Sequence, residues 1–498
     1  MSNIRVTYSG LFFFVSGMIT ILTGLGFMLI ITRSLNPQEY GTWTLITGLI
    51  LYVVLIQPIT NYWLTREIAR GEKSAKTGIL SSGMFSSIGI VVFLSLAFFV
   101  GEQTDAVQEI LLFAVILVPI FFLNGTLTSI IMGFKPQITS LGKLILEVSK
   151  VPLAIIFVYF MDFGVQGIIL SVALAHIPSI ILLGYFAREK ITGTIKQEFI
   201  KKWIKLSWVS LYPGLYALFR SLDLLIFSLL TGSVIGLAFY AAAWSVSSIV
   251  AQSSLISSGV YPKILSGGKT DYLQDNITKI FYFAILLSAV SITFARPGLF
   301  ALNPIYEVAV PLVIILTMRF ILDTFNRAFE EFLIGAEKVD QNSDSTFKNY
   351  AQSRLFIIPT VRLIQNVVYM ALLIVVIIFL NSSHSEFELL TYWAILGAVT
   401  TVPITVYLTI LVHRKFKVKL DLKSTSKYLL ACIVIFAPLF VLTESYLEYN
   451  TKIFEFLPDL LIFVGVGVIG YLFLTYVIDF KTKIFFNSII QELRNKIK

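Results

Sequence analysis

Cysteine, histidine and charge are all scarce in this sequence. Its single cysteine, Cys432, excludes a disulfide framework, and its three histidines form no Cys/His cluster with metal-ligand spacing. No phosphate-cradling glycine loop and no nucleophile elbow occurs, and Gly267-Gly268 reads as a turn. Charged residues make up only 13% of 498 positions against 57% hydrophobic. One soluble globule is therefore excluded, because its interior could not hold so much apolar surface. Long polar segments are missing as well, which leaves no room for an extramembrane catalytic domain. A membrane glycosyltransferase or ligase would need catalytic groups in an outer loop. The acids available there, Glu102, Asp105, Glu307, Glu386, Glu444 and Glu448, have neither a companion basic cluster nor a large loop. The expected protein is an all-α integral membrane protein that is not an enzyme.

What is abundant is long apolar runs. Reading stretches of about 18 residues as spans gives fourteen, at 10–32, 41–63, 78–100, 107–132, 144–161, 164–187, 207–230, 234–260, 280–295, 308–334, 355–380, 389–412, 428–442 and 457–478. The ninth and thirteenth are short, so twelve to fourteen helices are expected. The run after Arg5 exceeds the roughly 7 to 15 residues of a signal h-region and ends at Thr32-Arg33 without a cleavage site, so it reads as the first transmembrane helix.

Basic residues alternate between connections. One set of loops, from Arg5 through Arg66, Arg70, Lys73 and Lys76 to the tail with Lys481, Lys483, Arg494, Lys496 and Lys498, holds about thirty of them; the other set holds Arg33, Arg296 and Lys452. By the positive-inside rule both termini are cytoplasmic and the chain lies in the cell membrane. The net charge of +9 is thereby explained by topology, without a nucleic-acid partner. Two polar connections, 188–206 and 336–354, are the longest. The first separates an N-terminal lobe, 1–190, through a basic linker, 191–205, from a C-terminal lobe, 206–413; residues 414–498 form a C-terminal helix pair and basic tail.

Charge inside the spans is where function is expected, since an ionisable group at mid-bilayer costs from roughly 2.5 kcal/mol upward and is seldom left facing lipid. Arg319, Asp323, Arg327 and Glu331 recur every four residues along one side of a helix that begins in a wholly apolar run. Arg319 is the deepest, while Arg327, Glu330 and Glu331 lie near the cytoplasmic interface, where long side chains reach water. With Lys150, Arg220 and Arg362 they give five candidate cations, four of them arginines able to grip an anion in bidentate fashion. Each has a second reading: Arg220 with Asp223, Glu147 with Lys150, and Arg319 or Arg327 with Asp323 also make neutralising pairs at helical spacing. Asp223 and Asp323 are either permanent partners of an arginine or carboxylates that exchange a proton or sodium ion. No other cofactor is implied. His176, just before Pro178, reads as a packed histidine or as a titrating one, and Asn124 and Asn326 as interhelical hydrogen bonds.

The two halves echo each other. Leu35 to Gly41 and Leu230 to Gly236 share their spacing; Asn124 precedes Gly133 as Asn326 precedes Gly335; Lys143 with Lys150 parallels Arg354 with Arg362. Such a repeat implies two six-helix lobes around a central cavity.

The segment Arg33-Ser34-Leu35-Asn36-Pro37-Gln38-Glu39-Tyr40-Gly41, followed by an apolar helix and Leu64-Thr65-Arg66-Glu67-Ile68-Ala69-Arg70, resembles the opening of the Wzx-type polysaccharide flippases. That group falls within the superfamily that also holds MATE exporters and MurJ-type lipid II flippases. Leu222-Asp223-Leu224-Leu225-Ile226, the run Gly236 to Ala243, and Val260-Tyr261-Pro262-Lys263-Ile264 are similar to the same family. The resemblance implies two bundles about a cationic cavity and alternating access. Its substrate class is an oligosaccharide on a polyprenyl phosphate or pyrophosphate, with membrane lipids and glycan-assembly enzymes as neighbours and a monomer sufficient. Such a substrate needs a polar, cation-lined path, because each unpaired hydroxyl costs kilocalories in hydrocarbon. The rival reading on the same fold is a cation-coupled exporter of drugs or metabolites, which would favour an acidic, aromatic pocket.

Overall fold

The computed structural model describes residues 22–257, 271–337, 351–418 and 421–497, together with residues 20 and 349. Among them there are helices and turns and no strand. In chain order the helices are α1 (Leu22–Ser34), α2 (Pro37–Val54), α3 (Pro58–Ala69), α4 (Ala75–Gln103), α5 (Gln108–Met132), α6 (Pro136–Ala154), α7 (Gly164–Ala187), α8 (Gln197–Lys205) and α9 (Ser207–Thr231). They continue as α10 (Ile235–Ser254), α11 (Asp271–Thr293), α12 (Ala295–Leu302), α13 (Pro304–Gly335), α14 (Arg354–Leu380), α15 (Glu386–Phe416), α16 (Leu422–Tyr446), α17 (Ile453–Ile478) and α18 (Phe480–Ile497).

Eleven of these are long and apolar enough to cross a bilayer, or twelve when α2 and α3, bent by 58°, are taken as one span, among the described residues. The protein is a multi-pass membrane protein. Every expected apolar run meets a helix, although residues 10–19 of the first run lie outside the described residues, as do Lys263, Lys269, Lys338 and Lys348. The two runs that looked short belong to full-length helices. α11 is already helical at Asp271, nine residues before its apolar run, and in that polar stretch Asp275 and Lys279 pair at 2.6 Å, one helical turn apart. α16 is started by Asp421, whose carboxylate accepts the Ser424 backbone N–H at 3.2 Å.

Local chemistry explains the first helices. Asn36 and Glu39 form a reciprocal capping box at the start of α2, with Pro37 in the first turn, where no N–H is required. Pro58 lacks the donor that would continue that helix, so the chain turns and restarts as α3.

The helices form two compact units, one of Met1–Phe239 with Ile377–Glu386, the other of Tyr240–Val376 with Phe387–Lys498. The first division falls one helix beyond the expected linker. α9 belongs with the first unit because it packs on α2: Tyr52 Oη donates to the Ser221 carbonyl at 2.5 Å, and Leu224 lies beside Gly48. Residues 191–205, read as a linker, contain α8. Its Phe199 and Trp203, four apart, sit on Leu64, Ile68, Ile131 and Leu183, while Lys201 and Lys205 stay exposed. Trp203 is fully buried; its indole N–H and the Lys202 ammonium both reach Glu67 Oε1, at 3.3 and 3.0 Å. Hydroxyls stitch the first unit internally: Thr126 donates to Ser82 at 2.7 Å, and Thr60 bonds Ser81 at 3.0 Å. In hydrocarbon, such bonds between small residues replace the hydrophobic drive that is missing there.

In the second unit the turn from α17 to α18 is organised by Asp479. Its carboxylate is buried and accepts from Ser424 Oγ, Tyr428 Oη, Lys427 Nζ and the Thr482 N–H and Oγ1, all within 3.0 to 3.3 Å.

Candidate functional site

The ladder on α13 does not act as four equivalent charges. Arg319 is 3% exposed and donates from Nη1 to Tyr240 Oη at 3.2 Å. Its guanidinium lies 5.8 Å from the Trp244 ring centre and 5.5 Å from that of Tyr369. The box continues outward: Trp393 stacks on Tyr240 with centroids 3.8 Å apart, and its indole N–H donates to Tyr369 Oη at 2.7 Å. Gly397 completes it, since a Cβ there would come within 2.3 Å of Arg319 Nη1. A cation over aromatic faces is stabilised by the ring quadrupoles, most strongly when desolvated. The sequence reading missed these five residues because, apart in sequence, each looks like an ordinary aromatic or glycine of a membrane helix.

Asp323 turns to a neighbouring helix instead. Its Oδ1 is 4.0 Å from Arg362 Nη1, and Arg362 Nε makes a close charge-assisted bond to Glu330 Oε1. Glu330 was expected to be a solvated helix end and is not. At 16% side-chain exposure it is a main partner of Arg362, seven residues and two turns from Asp323 on the same side of α13. Arg327, between them, is exposed. Asn326 is fully buried, and neither atom of its amide has a hydrogen-bond partner among the described residues. Its counterpart Asn124 does make the expected interhelical bond, accepting from Ser179 Oγ at 3.2 Å.

The first unit holds the remaining candidates. Arg220 is half-buried on α9, three residues before Asp223, which is buried and accepts the N–H of Leu224 at 2.9 Å. Lys150 pairs with Glu147 at 2.8 Å on α6, and its ammonium lies 4.7 Å from the Phe27 ring centre. Both line a pocket of about 350 Å³ shared with Trp43, Phe121 and His176. Of the seven residues singled out from the sequence, the structure brings Asp323 to Arg362 and encloses Arg319 in aromatic rings; Lys150 answers to Glu147. Among the described residues no group of His, Cys, Asp and Glu is arranged to hold a metal ion.

The second unit also holds a larger, open-sided cavity, about 810 Å³, walled by α11, α13 and α16 through Phe281, Ile292, Ile321, Phe325, Leu429 and Phe436, with Cys432 among its lining. Nearly all of that wall is hydrocarbon.

No family model and no curated protein matches the sequence. Solved structures match in fold. One is described as an inward-facing conformation of a multidrug resistance MATE family transporter of the MOP superfamily; it shares 14% identity and a TM-score of 0.58 over 80% of this chain and 95% of its own. The lipid II flippase MurJ, in an inward closed conformation, shares 13% identity and a TM-score of 0.58 over 96% of this chain and 99% of its own. A MATE protein in complex with MaD5 gives a TM-score of 0.50 at 14% identity over 82% of this chain and 95% of its own. The all-helical fold of this chain is the one those MATE and MurJ structures have in common.

Proposed function

We propose that the chain is a flippase that moves a polyprenyl-phosphate- or pyrophosphate-linked oligosaccharide from the cytoplasmic to the outer leaflet by alternating access, with both termini cytoplasmic and no chemistry of its own. The observation that carries this reading is the apolar cavity of about 810 Å³ in the second unit. It is shaped in part by α16, a member of the C-terminal helix pair, and an isoprenoid chain is the kind of ligand that fills hydrocarbon-walled space next to a bilayer. The MurJ likeness extends over 96% of the chain, against 80% for the first MATE structure, which supports giving that pair a lipid-related task. Exposed Arg327 is the proposed phosphate contact, with half-buried Arg220 as a second candidate. Arg319 and Arg362 would have to leave an aromatic box and two carboxylates first. Asp223 and Asp323 are the proposed coupling carboxylates, for a proton or a sodium ion.

The second reading, a cation-coupled exporter of drugs or metabolites, is favoured by a different observation: the deep cations Lys150 and Arg362 are matched by acids, and Arg319 by aromatic rings, so that the interior is less cationic than the sequence suggests. Two of the three solved structures cited above are MATE proteins. One experiment separates the two. Purified protein in nanodiscs is offered undecaprenyl pyrophosphate and, separately, ethidium as a cationic aromatic probe. Saturable binding of the lipid, weakened by Ile321→Trp in the cavity wall, is the expected result. Binding of ethidium without the lipid would replace the flippase by the exporter.

A further inference from the structure

The pocket of the first unit is built for something other than an anion. Lys150 and Glu147 face each other at 2.8 Å inside it, so its charge sums to zero, and a phosphate placed beside Lys150 would also lie beside the Glu147 carboxylate. A cation meets the same objection from Lys150. What the three ionisable side chains do offer is a mixed set of donors and acceptors. An ammonium only donates, and a carboxylate only accepts. His176 completes the set: its Nδ1 lies 2.7 Å from the Val172 carbonyl oxygen, which can only accept, so the proton of the neutral ring sits on Nδ1 and Nε2 is left as an acceptor. Phe121 packs on that ring at 4.8 Å and holds it in place.

Around these polar groups the walls are apolar, aliphatic in the larger part and aromatic at Trp43, Phe27 and Phe121. A ligand that suits both must be uncharged, rich in hydroxyls that donate and accept at once, and faced with C–H groups that can lie on an aromatic ring. Those are the properties of a sugar ring. The volume, about 350 Å³, is at the small end of ligand pockets, room for one ring and its water rather than a chain of them. Beyond the pocket, on α5 and α7 and at the bend between α2 and α3, lie further polar side chains. Asn124 bonds Ser179, Asn61 Nδ2 approaches Gln57 Oε1 at 3.4 Å, and Gln57 Nε2 is buried with no hydrogen-bond partner among the described residues.

We infer that this pocket, formed by Trp43, Phe121, Glu147, Lys150 and His176 with Phe27, is a subsite for one uncharged sugar ring of the transported head group. The inference rests on the flippase reading and divides its labour: sugar recognition in the first unit, through a neutral ion pair and a histidine, and phosphate recognition by cations elsewhere. Lys150 then serves as a hydroxyl donor, and the pocket discriminates between sugars by where their hydroxyls fall.

The full-length protein in nanodiscs is tested with bare undecaprenyl pyrophosphate and with a panel of the same lipid carrying glucose, galactose, N-acetylglucosamine or N-acetylgalactosamine. The chain has three histidines, so a ¹³C-histidine spectrum carries three rings, and His176→Asn identifies the one in the pocket. At least one sugar-bearing lipid should bind about tenfold or more tightly than the bare lipid, the gain expected of one or two hydrogen bonds to charged groups, and should shift the His176 signal. The Glu147→Gln/Lys150→Met double variant, which removes both members of the pair together, should bring that preference to parity. Trp43→Leu should do the same if the double variant does not fold. Binding of every lipid without any sugar preference, or a His176 shift with the bare lipid, overturns the subsite and leaves the flippase reading standing. Binding of none of them overturns both.

Discussion

Arg319 shows how far single residues can be read from sequence. Its depth was legible, because an arginine eleven residues into an apolar helix has to be enclosed. Its enclosure was not, since Tyr240, Trp244, Tyr369, Trp393 and Gly397 come from three other helices. The glycine is the most exacting of them. Gly397→Ala puts a methyl group into the guanidinium and should cost about 1 to 3 kcal/mol, as overpacking does. Gly83→Ala, where a Cβ meets nothing within 4 Å, should be neutral or stabilising by up to about 1 kcal/mol. Thermal unfolding of the two purified variants checks the contrast, and an equal effect would mean that the box tolerates a shifted Arg319.

A second residue-scale expectation concerns acid. Burial would raise the Asp421 carboxyl, but the Lys481 ammonium at 2.6 Å and the Ser424 N–H outweigh it and hold the group down at about 2, below its ordinary 3.8. The folded carboxyl is the stronger acid. Its contribution is therefore complete above about pH 4 and fades as the pH falls toward 2. The melting temperatures of wild type and Asp421→Asn should differ at pH 6 and converge by about pH 2; a gap that persists at pH 2 would show that charge is not its source.

Elements were read more securely than residues, and the exceptions have physical causes. Apolar length pointed to twelve to fourteen spans where eleven or twelve among the described residues are long and apolar enough to cross, and it clipped α11 and α16, whose early turns carry polar groups that a hydropathy window discards. The same bias concealed α8, a nine-residue helix whose sequence, Gln-Glu-Phe-Ile-Lys-Lys-Trp-Ile-Lys, is mostly polar and basic. What fixes it is one tryptophan. Trp203→Ala should cost about 3 to 5 kcal/mol of docking and, by freeing the backbone around the already exposed Lys201, Lys202 and Lys205, speed tryptic cleavage there while the transmembrane helices remain protected. Unchanged tryptic cleavage would mean that Phe199 and Lys202 hold the helix unaided. At the start of α2, Asn36→Ala removes one arm of a capping box and should lower stability by about 1 kcal/mol, with Asn36→Ser largely restoring it.

For the whole molecule, the likeness to MATE and MurJ structures at 13 to 14% identity shows what kind of information the sequence preserves. The helical fold survives such divergence because the bilayer leaves a spanning chain little choice but to satisfy its backbone in helices. The substrate leaves a weaker trace. It depends on which side chains meet within each unit, and there the pairings Glu147 with Lys150 and Glu330 with Arg362 cancel charges that, counted along the chain, looked like an anion site.

The scarcity of cysteine has a practical side. Cys432 is the chain's sole thiol, and it stands in the wall of the apolar cavity. A spin label or an environment-sensitive fluorophore carried on a methanethiosulfonate therefore has one address in the native protein, with no cysteine-free background to engineer. Its signal would report directly whether an isoprenoid chain occupies the space beside it.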